Sequence, residues 1–243
     1  MNNISQRYAR QIMMGDIGEK GQQLLQQSRV LVVGAGGLGS PLLLYLTAAG
    51  IGHIAIVDFD VVEASNLNRQ ILHGTGDVGR LKVESAVDTL RALNPDVELL
   101  SHCERVTADN LVSLAQGCDL VIDAVDSFGV KFAINDICVK HQLPFLHGGA
   151  TGLQGQLYLY RPGQACLRCL FPQLPAELES PQGLGILGAT AGVIGTRQAF
   201  MAIRFLLGNP SEDGVMYAFD GATMRDRSIR IPKVSACPVC GEG

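Results

Sequence analysis

The sequence has 243 residues, of which 47% are hydrophobic, and its formal net charge is −4. The length suits one large α/β domain or two small ones, with enough apolar residues for a substantial core. The negative net charge argues against nucleic acid as the main partner, so a phosphate site would need a local cluster of cations.

Neither a targeting segment nor a membrane span is predicted. The first residues lack the apolar region of a secretory signal, so we expect a cytoplasmic protein. The most apolar region, residues 184–207, is interrupted by Arg197, Gln198 and Arg204, which argues against a span. The seven cysteines, an odd number, indicate metal ligands and buried thiols rather than a framework of disulfides.

Strand and helix patterns alternate along the first two thirds of the chain. After a lead-in over residues 1–27, helical from residue 4, apolar runs predict strands at residues 30–33, 53–57, 97–100, 120–126 and 144–146. Helical patterns lie between them, from Pro41 onward and at residues 81–93, 108–115 and 130–140. Such regular alternation predicts a Rossmann-like, doubly wound, mostly parallel sheet with helices on both faces.

The pattern changes from residue 154 onward. Residues 157–160, 216–219 and 227–231 have strand patterns, so we expect an antiparallel extension of the sheet. Residues 191–207 predict one long helix, and its small residues indicate close packing against a neighbour. No stretch marks a linker, so residues 1–243 are expected to form a single domain.

A glycine-rich turn follows the first predicted strand. Gly34-Ala35-Gly36-Gly37-Leu38-Gly39 comes directly after Val33, and Pro41 then stands where the first turn of a helix tolerates proline. A strand, a glycine turn and a helix N-terminus together offer free backbone N–H groups to a phosphate. A turn without a ligand is the simpler alternative, but Asp58 ends the next strand, where a carboxylate can bind a ribose hydroxyl. The sequence therefore predicts an adenine nucleotide site.

Charged residues follow the predicted strands at the edge where a doubly wound sheet binds its ligand. A dehydrogenase that uses NAD would need only the glycine turn and Asp58. Arg69 and Lys82 exceed that need, but they suit the negative charge of a triphosphate. Asp126 offers the hard oxygen ligand that Mg²⁺ prefers. Each of these residues alone is more often a solvated surface group, whereas together they favour ATP over NAD.

Four cysteines form two pairs with the spacing of zinc ligands. Cys166 and Cys169 form one CxxC pair, and Cys237 and Cys240 form the other. Two such pairs complete a tetrahedral Zn²⁺ site within the C-terminal part, residues 154–243, and their wide separation predicts a staple that holds the carboxy-terminal tail on the body. Two independent redox pairs are the alternative, which the lack of a thioredoxin-like pattern around them disfavours.

The other cysteines and the histidines show no such pattern. Cys103, Cys118 and Cys138 lie beside predicted strands or on the apolar side of a helix, so we expect buried structural thiols. His147 precedes Gly148 at a strand end and could line the site, although an ordinary hydrogen-bonded histidine is the commoner case.

An ordered set of motifs extends over essentially the whole chain. It consists of Arg7-Tyr8-x-Arg10-Gln11, the glycine turn, Asp58-x-Asp60, Ser65-Asn66-Leu67-Asn68-Arg69-Gln70, Lys82, Asp126 and the paired cysteines. Together these motifs resemble the MoeB/ThiF/HesA adenylyltransferases, prokaryotic relatives of the ubiquitin-activating enzymes. Residues 65–70 and 78–86 look most like the molybdopterin-synthase enzymes, whereas residues 155–157 and 169–172 look equally like the thiamine-pathway enzymes.

This resemblance implies ATP-dependent adenylation of the C-terminal glycine of a small ubiquitin-like sulfur-carrier protein that ends in Gly-Gly. The products would be an acyl-adenylate and pyrophosphate. Asp126 would hold Mg²⁺, and the arginine that matches Arg10 reaches phosphates of the neighbouring subunit, which implies a homodimer with shared sites. Arg10, Arg69, Lys82 and Asp126 would be catalytic. The resemblance assigns to the nucleotide Gly34, Gly36, Gly37, Gly39, Asp58, Asp60, Ser65, Asn66, Leu67, Asn68, Arg69, Lys82, Asp126 and Ser127.

Two positions depart from the family pattern. Ser127 replaces the usual asparagine after Asp126, so altered affinity rather than lost function is expected. Residues 177–183 contain no cysteine, although many relatives have one in this loop. This absence predicts an enzyme that stops at the acyl-adenylate and relies on an external sulfur donor. The rival interpretations are an NAD-dependent dehydrogenase and a non-catalytic scaffold that binds a carrier protein.

Overall fold

An eight-stranded sheet organises the computed structural model, which describes residues 6–172, 185–209 and 214–241. The strands are β1 (Arg29–Val33), β2 (His53–Val57), β3 (Glu98–His102), β4 (Leu120–Asp123), β5 (Phe145–Thr151), β6 (Gln154–Tyr160), β7 (Val215–Asp220) and β8 (Arg225–Arg230). Their order is β3-β2-β1-β4-β5-β6-β7-β8. The first five strands are parallel, and β6, β7 and β8 add antiparallel pairings. The expected doubly wound sheet with an antiparallel extension is confirmed.

Helices cover both faces of the sheet. They are α1 (Ala9–Ile12), α2 (Gly18–Gln27), α3 (Gly39–Ala49), α4 (Lys82–Leu93), α5 (Ala108–Leu114), α6 (Phe128–Lys140), α7 (Leu167–Leu170) and α8 (Gly188–Leu206). Side chains alternate along each strand, so Val30 and Val32 pack with α3, α4 and α8, whereas Leu31 and Val33 pack with α5 and α6. Among the described residues, no helix has both the length and the apolar character needed to cross a bilayer.

The strand order places three loops at one crevice. β1 lies between β2 and β4, and Val33 is paired with Val57 on one side and with Asp123 on the other. The chain leaves β1 toward α3 and leaves β4 toward α6, which lie on opposite faces. A crevice opens between the two connections, and this is where doubly wound sheets bind their ligands.

The lead-in and the end of β4 differ from the sequence prediction. The lead-in is not one helix, because turns around Gly15 separate α1 from α2, and Gly18 has a positive φ of 59°. β4 ends at Asp123 rather than at Asp126. The Asp123 side chain accepts a hydrogen bond from the Val125 N–H (3.1 Å), and the chain turns away from the sheet there. Asp126 therefore lies in the loop beyond the strand.

The small residues of α8 allow the close packing that the sequence predicts. A Cβ on Gly195 would overlap the carbonyl oxygen of Leu38, and a Cβ on Gly188 would overlap that of Asn68. The helix begins at Gly188 rather than at residue 191. It therefore contacts both the glycine turn and the loop that follows β2, so it supports two walls of the crevice.

Candidate active site

A cavity of about 790 Å³ opens at the crevice. The glycine turn and Asp58 line it on the parallel half of the sheet, and Gln156 and Arg227 line it on the antiparallel half. Asp126 also lines this cavity. The volume falls within the range of about 300–1,000 Å³ that is typical of ligand pockets. The cavity thus extends beyond the part of the sheet that a nucleotide would need.

Close packing explains the glycines of the turn. Gly34 has a φ of 103°, and a Cβ there would lie 2.8 Å from the carbonyl oxygen of Ala124. A Cβ on Gly39 would overlap the carbonyl oxygen of Gly34, so α3 begins directly against the end of β1. A Cβ on Gly37 would come within 3.3 Å of Arg69. The backbone can therefore pass close to both Arg69 and the cavity.

Asp58 holds the glycine turn in place. One carboxylate oxygen accepts a hydrogen bond from the Ala35 N–H (2.8 Å), and the other accepts from the Asp60 N–H (2.9 Å). Each oxygen has a second lone pair, which is available to a hydroxyl group in the cavity. Asp58 thus combines support of the turn with a surface that a ribose can contact.

His73 supports the same turn from behind. Its Nε2 lies 2.9 Å from the carbonyl oxygen of Ala35, so this nitrogen donates, and Nδ1 accepts from the Ser85 hydroxyl (2.8 Å). Burial lowers the pKa of His73, which favours the neutral ring that this arrangement needs. The histidine has a structural function that no sequence motif indicated.

A smaller cavity of about 190 Å³ adjoins the first and is lined mainly by charged and polar side chains, among them Asp60, Asn66, Arg69, Lys82 and Asp126. Lys82 is buried, and its Nζ lies 2.9 Å from a carboxylate oxygen of Asp60. Arg69 donates to the carbonyl oxygen of Ser65 and to the side chain of Asn68, each at 3.1 Å. The long loop after β2 therefore brings two cations to one compartment.

Asp126 and Ser127 are exposed and line the larger cavity. Within the described part of the chain, neither side chain has a hydrogen-bond or ion-pair partner. An unpaired carboxylate that faces Arg69 and Lys82 fits a divalent cation that bridges protein to phosphate.

The structure gathers most of the predicted nucleotide residues at the two cavities. Those that line one or both are Gly34, Gly36, Gly37, Asp58, Asp60, Asn66, Arg69, Lys82, Asp126 and Ser127. Those that line neither are Gly39, Ser65, Leu67 and Asn68, and Arg10, which was predicted to be catalytic, also lines neither. Gly39, Ser65 and Asn68 instead support the walls through the packing and hydrogen bonds described above.

A buried polar cluster beside the cavity was not predicted as part of the site. Lys131 Nζ lies 3.1 and 3.2 Å from the two carboxylate oxygens of Asp123 and 2.6 Å from the carbonyl oxygen of Gly148. His147 Nδ1 lies 2.8 Å from the Asp123 carboxylate, so His147 is the hydrogen-bonded residue that we considered the commoner case. All three side chains are at most 3% exposed. The available signal was Asp123 itself, since an acid that ends an apolar strand needs a partner.

The electrostatics of this cluster favour one charged pair and a neutral ring. Burial alone would raise the pKa of Asp123, but Lys131 and the His147 hydrogen bond hold that pKa below its usual value. Burial lowers the pKa of His147. The Nδ1–H of the neutral ring therefore donates to Asp123, and Nε2 carries the free lone pair.

The four paired cysteines come together, as the zinc interpretation requires. The Sγ atoms of Cys166 and Cys237 lie 3.7 Å apart, those of Cys169 and Cys240 lie 3.3 Å apart, and all four lie within 4.8 Å of one another. A zinc tetrahedron with Zn–S bonds of ~2.3 Å has edges of ~3.8 Å, so the donor set fits this metal.

The expectation that all remaining thiols are buried is wrong for Cys103. Cys138 is buried and Cys118 is half-buried, but Cys103 is exposed. It follows β3, which is an edge strand of the sheet formed by the described residues and exposes much of its length. The next residue, Glu104, lines the larger cavity.

The sheet order and the glycine turn at the crevice define a Rossmann-like α/β protein. The chain belongs to the ThiF family, whose model matches residues 8–239. The crystal structure of E. coli MccB has the same fold, with a TM-score of 0.86 and 22% identity over 100% of this chain and 74% of that chain.

Several relatives are named as adenylyltransferases or as an activating enzyme. The adenylyltransferase and sulfurtransferase MOCS3 of Aedes aegypti is 44% identical over 99% of this chain, which spans only 56% of that relative. The SAMP-activating enzyme E1 of Haloferax volcanii is 41% identical over 98% of this chain and 89% of the relative. The sulfur carrier protein ThiS adenylyltransferase of Escherichia coli strain K12 is 40% identical over 97% and 94%. The predicted family membership is confirmed.

Proposed function

We propose that this chain uses ATP to adenylate the C-terminal glycine of a small sulfur-carrier protein. The observation that carries the proposal is the cavity that joins the glycine turn and the polar compartment to the antiparallel strands. Its first part suits a nucleotide, and its second part leaves room for an extended peptide terminus. The names of the relatives support a carrier such as ThiS or SAMP as the second substrate.

The chemistry follows from the poor reactivity of a carboxylate, whose oxide is a very poor leaving group. A carboxylate oxygen of the terminal glycine attacks the α-phosphorus of ATP. The bond from this phosphorus to the oxygen that bridges to the β-phosphate breaks, and pyrophosphate leaves. The product is an acyl-adenylate, a mixed anhydride from which AMP can depart when a sulfur nucleophile attacks.

The residues of the two cavities fit the parts of ATP. The backbone of Gly34, Gly36 and Gly37 approaches the phosphates, and Asp58 binds the ribose. Arg69 and Lys82 neutralise the charge that pyrophosphate carries as it leaves. Asp126 would hold Mg²⁺, which would neutralise phosphate charge, and Ser127 would offer a hydroxyl beside it.

An NAD-dependent dehydrogenase would use the same glycine turn and Asp58. A dehydrogenase would not need the polar compartment formed by Arg69, Lys82 and Asp126. A non-catalytic scaffold would not need it either. These three residues favour nucleotidyl transfer over both alternatives.

Exchange of label between pyrophosphate and ATP tests the proposed reaction, with the E. coli carrier ThiS as the probe. We expect exchange that requires both Mg²⁺ and the carrier, and calorimetry that detects binding of ATP but not of NAD. Binding of NAD without binding of ATP would favour the dehydrogenase. Binding of ATP without exchange, for ThiS and for other carriers that end in Gly-Gly, would favour the scaffold.

We also propose a homodimer, with Arg10 serving the partner's site. Arg10 is exposed and does not line the cavity of its own chain. Met13, in the same segment, is 74% exposed, and Phe200 on α8 is 65% exposed, so apolar surface is available for association.

The reaction serves molybdopterin or thiamine biosynthesis, the two pathways that the family resemblance implies.

We further propose that the four paired cysteines hold one structural Zn²⁺. Because zinc binding contributes directly to folding free energy, Cys237→Ser should abolish the metal and lower the melting temperature by at least several degrees. Elemental analysis and thermal unfolding measure the two effects, and the exposed Cys103→Ser is the matched control. The proposal would be contradicted if wild-type protein purified without chelator contained no zinc and Cys237→Ser were as stable as the wild type.

Residues 177–183 contain no cysteine, which supports the proposal that the enzyme stops at the acyl-adenylate. A persulfide on another protein would then attack this acyl-adenylate. Residues 177–183 lie outside the described part of the chain. We expect no covalent adduct when enzyme, ATP, Mg²⁺ and ThiS are analysed by intact mass without reductant. Because Cys103 is exposed near the cavity, Cys103→Ala is the informative variant. An adduct that this substitution removes would refute the expectation.

A further inference from the structure

Gln156 and Lys131 both belong to the hydrogen-bond chain of the polar cluster and line the larger cavity, and Gln156 brings a side-chain amide to it. Gln156 lies on β6, opposite Gly149 of β5, and both residues line the cavity. Gly149 has no side chain above this position, so the surface beside the carboxamide is open backbone. An extended peptide that crosses here would pass next to Gln156.

The orientation of the Gln156 carboxamide follows from a chain of donors and acceptors. Lys131 fixes the Asp123 carboxylate, and Asp123 accepts from His147 Nδ1–H. The lone pair on His147 Nε2 then requires a donor, which is the Gln156 Nε2 amide group at 3.2 Å. The carboxamide oxygen of Gln156 consequently points away from His147, and no donor among the described residues bonds to it.

We propose that Gln156 binds a peptide N–H of the carrier's C-terminal glycines, and that His147 sets which end of the Gln156 carboxamide faces the cavity. This inference rests on the proposed function, because it takes the carrier terminus as the occupant of this part of the cavity. An amide oxygen is the complement of a backbone N–H and does not depend on a side chain in the ligand. It therefore suits a Gly-Gly terminus, which offers backbone groups alone.

Three variants test the inference in the pyrophosphate exchange assay with ThiS. Gln156→Met keeps the shape but removes the acceptor, so the KM for ThiS should rise about tenfold while kcat and ATP binding stay unchanged. Gln156→Glu keeps an acceptor oxygen but cannot donate to the neutral His147. Gln116→Met, an exposed position that lines neither cavity, is the matched control and should behave as the wild type.

The pH profile separates orientation by His147 from simple packing. The titratable groups around His147 are Asp123 on β4, Lys131 on α6 and Tyr158 on β6. Tyr158 is the residue paired with His147 in the register of β5 and β6. In Gln156→Glu the added carboxylate favours a protonated ring that can donate to it, so the KM for ThiS should fall as the pH decreases from 8 to 6. The KM of the wild type should stay nearly constant over this range, because burial keeps His147 neutral.

The results also distinguish this inference from the proposed function. If the wild type catalyses exchange but Gln156→Met has the KM of the Gln116→Met control, Gln156 does not bind the terminus and the inference alone is overturned. Parallel pH profiles in the wild type and in Gln156→Glu would overturn the orienting role of His147. If the wild type catalyses no exchange with any carrier that ends in Gly-Gly, the proposed function fails and the inference fails with it.

Discussion

Replacing Arg69 or Asp126 with alanine should reduce the rate of pyrophosphate exchange by about 10²–10³-fold, the usual cost of losing a group that stabilises developing charge. Arg69 supplies positive charge in the compartment where pyrophosphate departs, and Asp126 supplies the carboxylate for Mg²⁺. The fold should be unaffected, because the hydrogen bonds of Arg69 to other described residues stay within its own loop and Asp126 is exposed. The exchange rate and the thermal unfolding curve together separate lost chemistry from lost structure.

Arg80→Ala is a matched control for the arginine. Arg80 lies in the same loop after β2, but its ion pairs with Asp77 and Asp88 are at the surface, and it lines neither cavity. It should retain nearly full exchange activity, since exposed ion pairs contribute little. Exchange at the wild-type rate in both Arg69→Ala and Asp126→Ala would mean that the phosphates bind elsewhere.

Lys131→Met should lower the free energy of unfolding by about 3–5 kcal/mol, which is the typical cost of breaking a buried ion pair from one side. The substitution leaves Asp123 fully buried without its cation, and the carbonyl oxygen of Gly148 loses its donor. Chemical denaturation measures the loss. The double variant Asp123→Asn/Lys131→Met removes the orphaned charge, so it should be more stable than Lys131→Met alone.

Acidification should narrow the stability gap between the wild type and Lys131→Met. Because the folded-state pKa of Asp123 is below its unfolded value, the group stabilises the wild type above the unfolded pKa, and this stabilisation is lost as the pH falls through the folded pKa. In Lys131→Met that stabilisation is absent at neutral pH. The wild type should therefore begin to lose this advantage as the pH falls below about 4, the usual pKa of an aspartate, and the gap should narrow further as the pH passes the lower folded-state pKa. A gap that is independent of pH would indicate a packing defect rather than an orphaned charge.

Local patterns were sufficient to predict the parallel half of the sheet. Apolar runs of four or five residues, such as the β1 run that ends at Val33, are long enough for buried strands and are separated by helical periodicity. The ends of strands were predicted less accurately. β4, for example, ends at Asp123 because of a side-chain hydrogen bond rather than a change in hydrophobicity. Cys103 was assigned wrongly because its neighbours gave no sign that β3 is the edge strand.

The sequence by itself determined the glycine turn, the acid at the end of β2, the cations of the long loop and the two cysteine pairs, because each is a motif of contiguous or regularly spaced residues. Only the tertiary structure decided that Asp123, Lys131, His147 and Gln156 form one hydrogen-bond chain beside the cavity. These residues come from β4, α6, β5 and β6, and no spacing along the chain relates them. Their contact depends on strand order and register, which arise from the packing of the whole sheet.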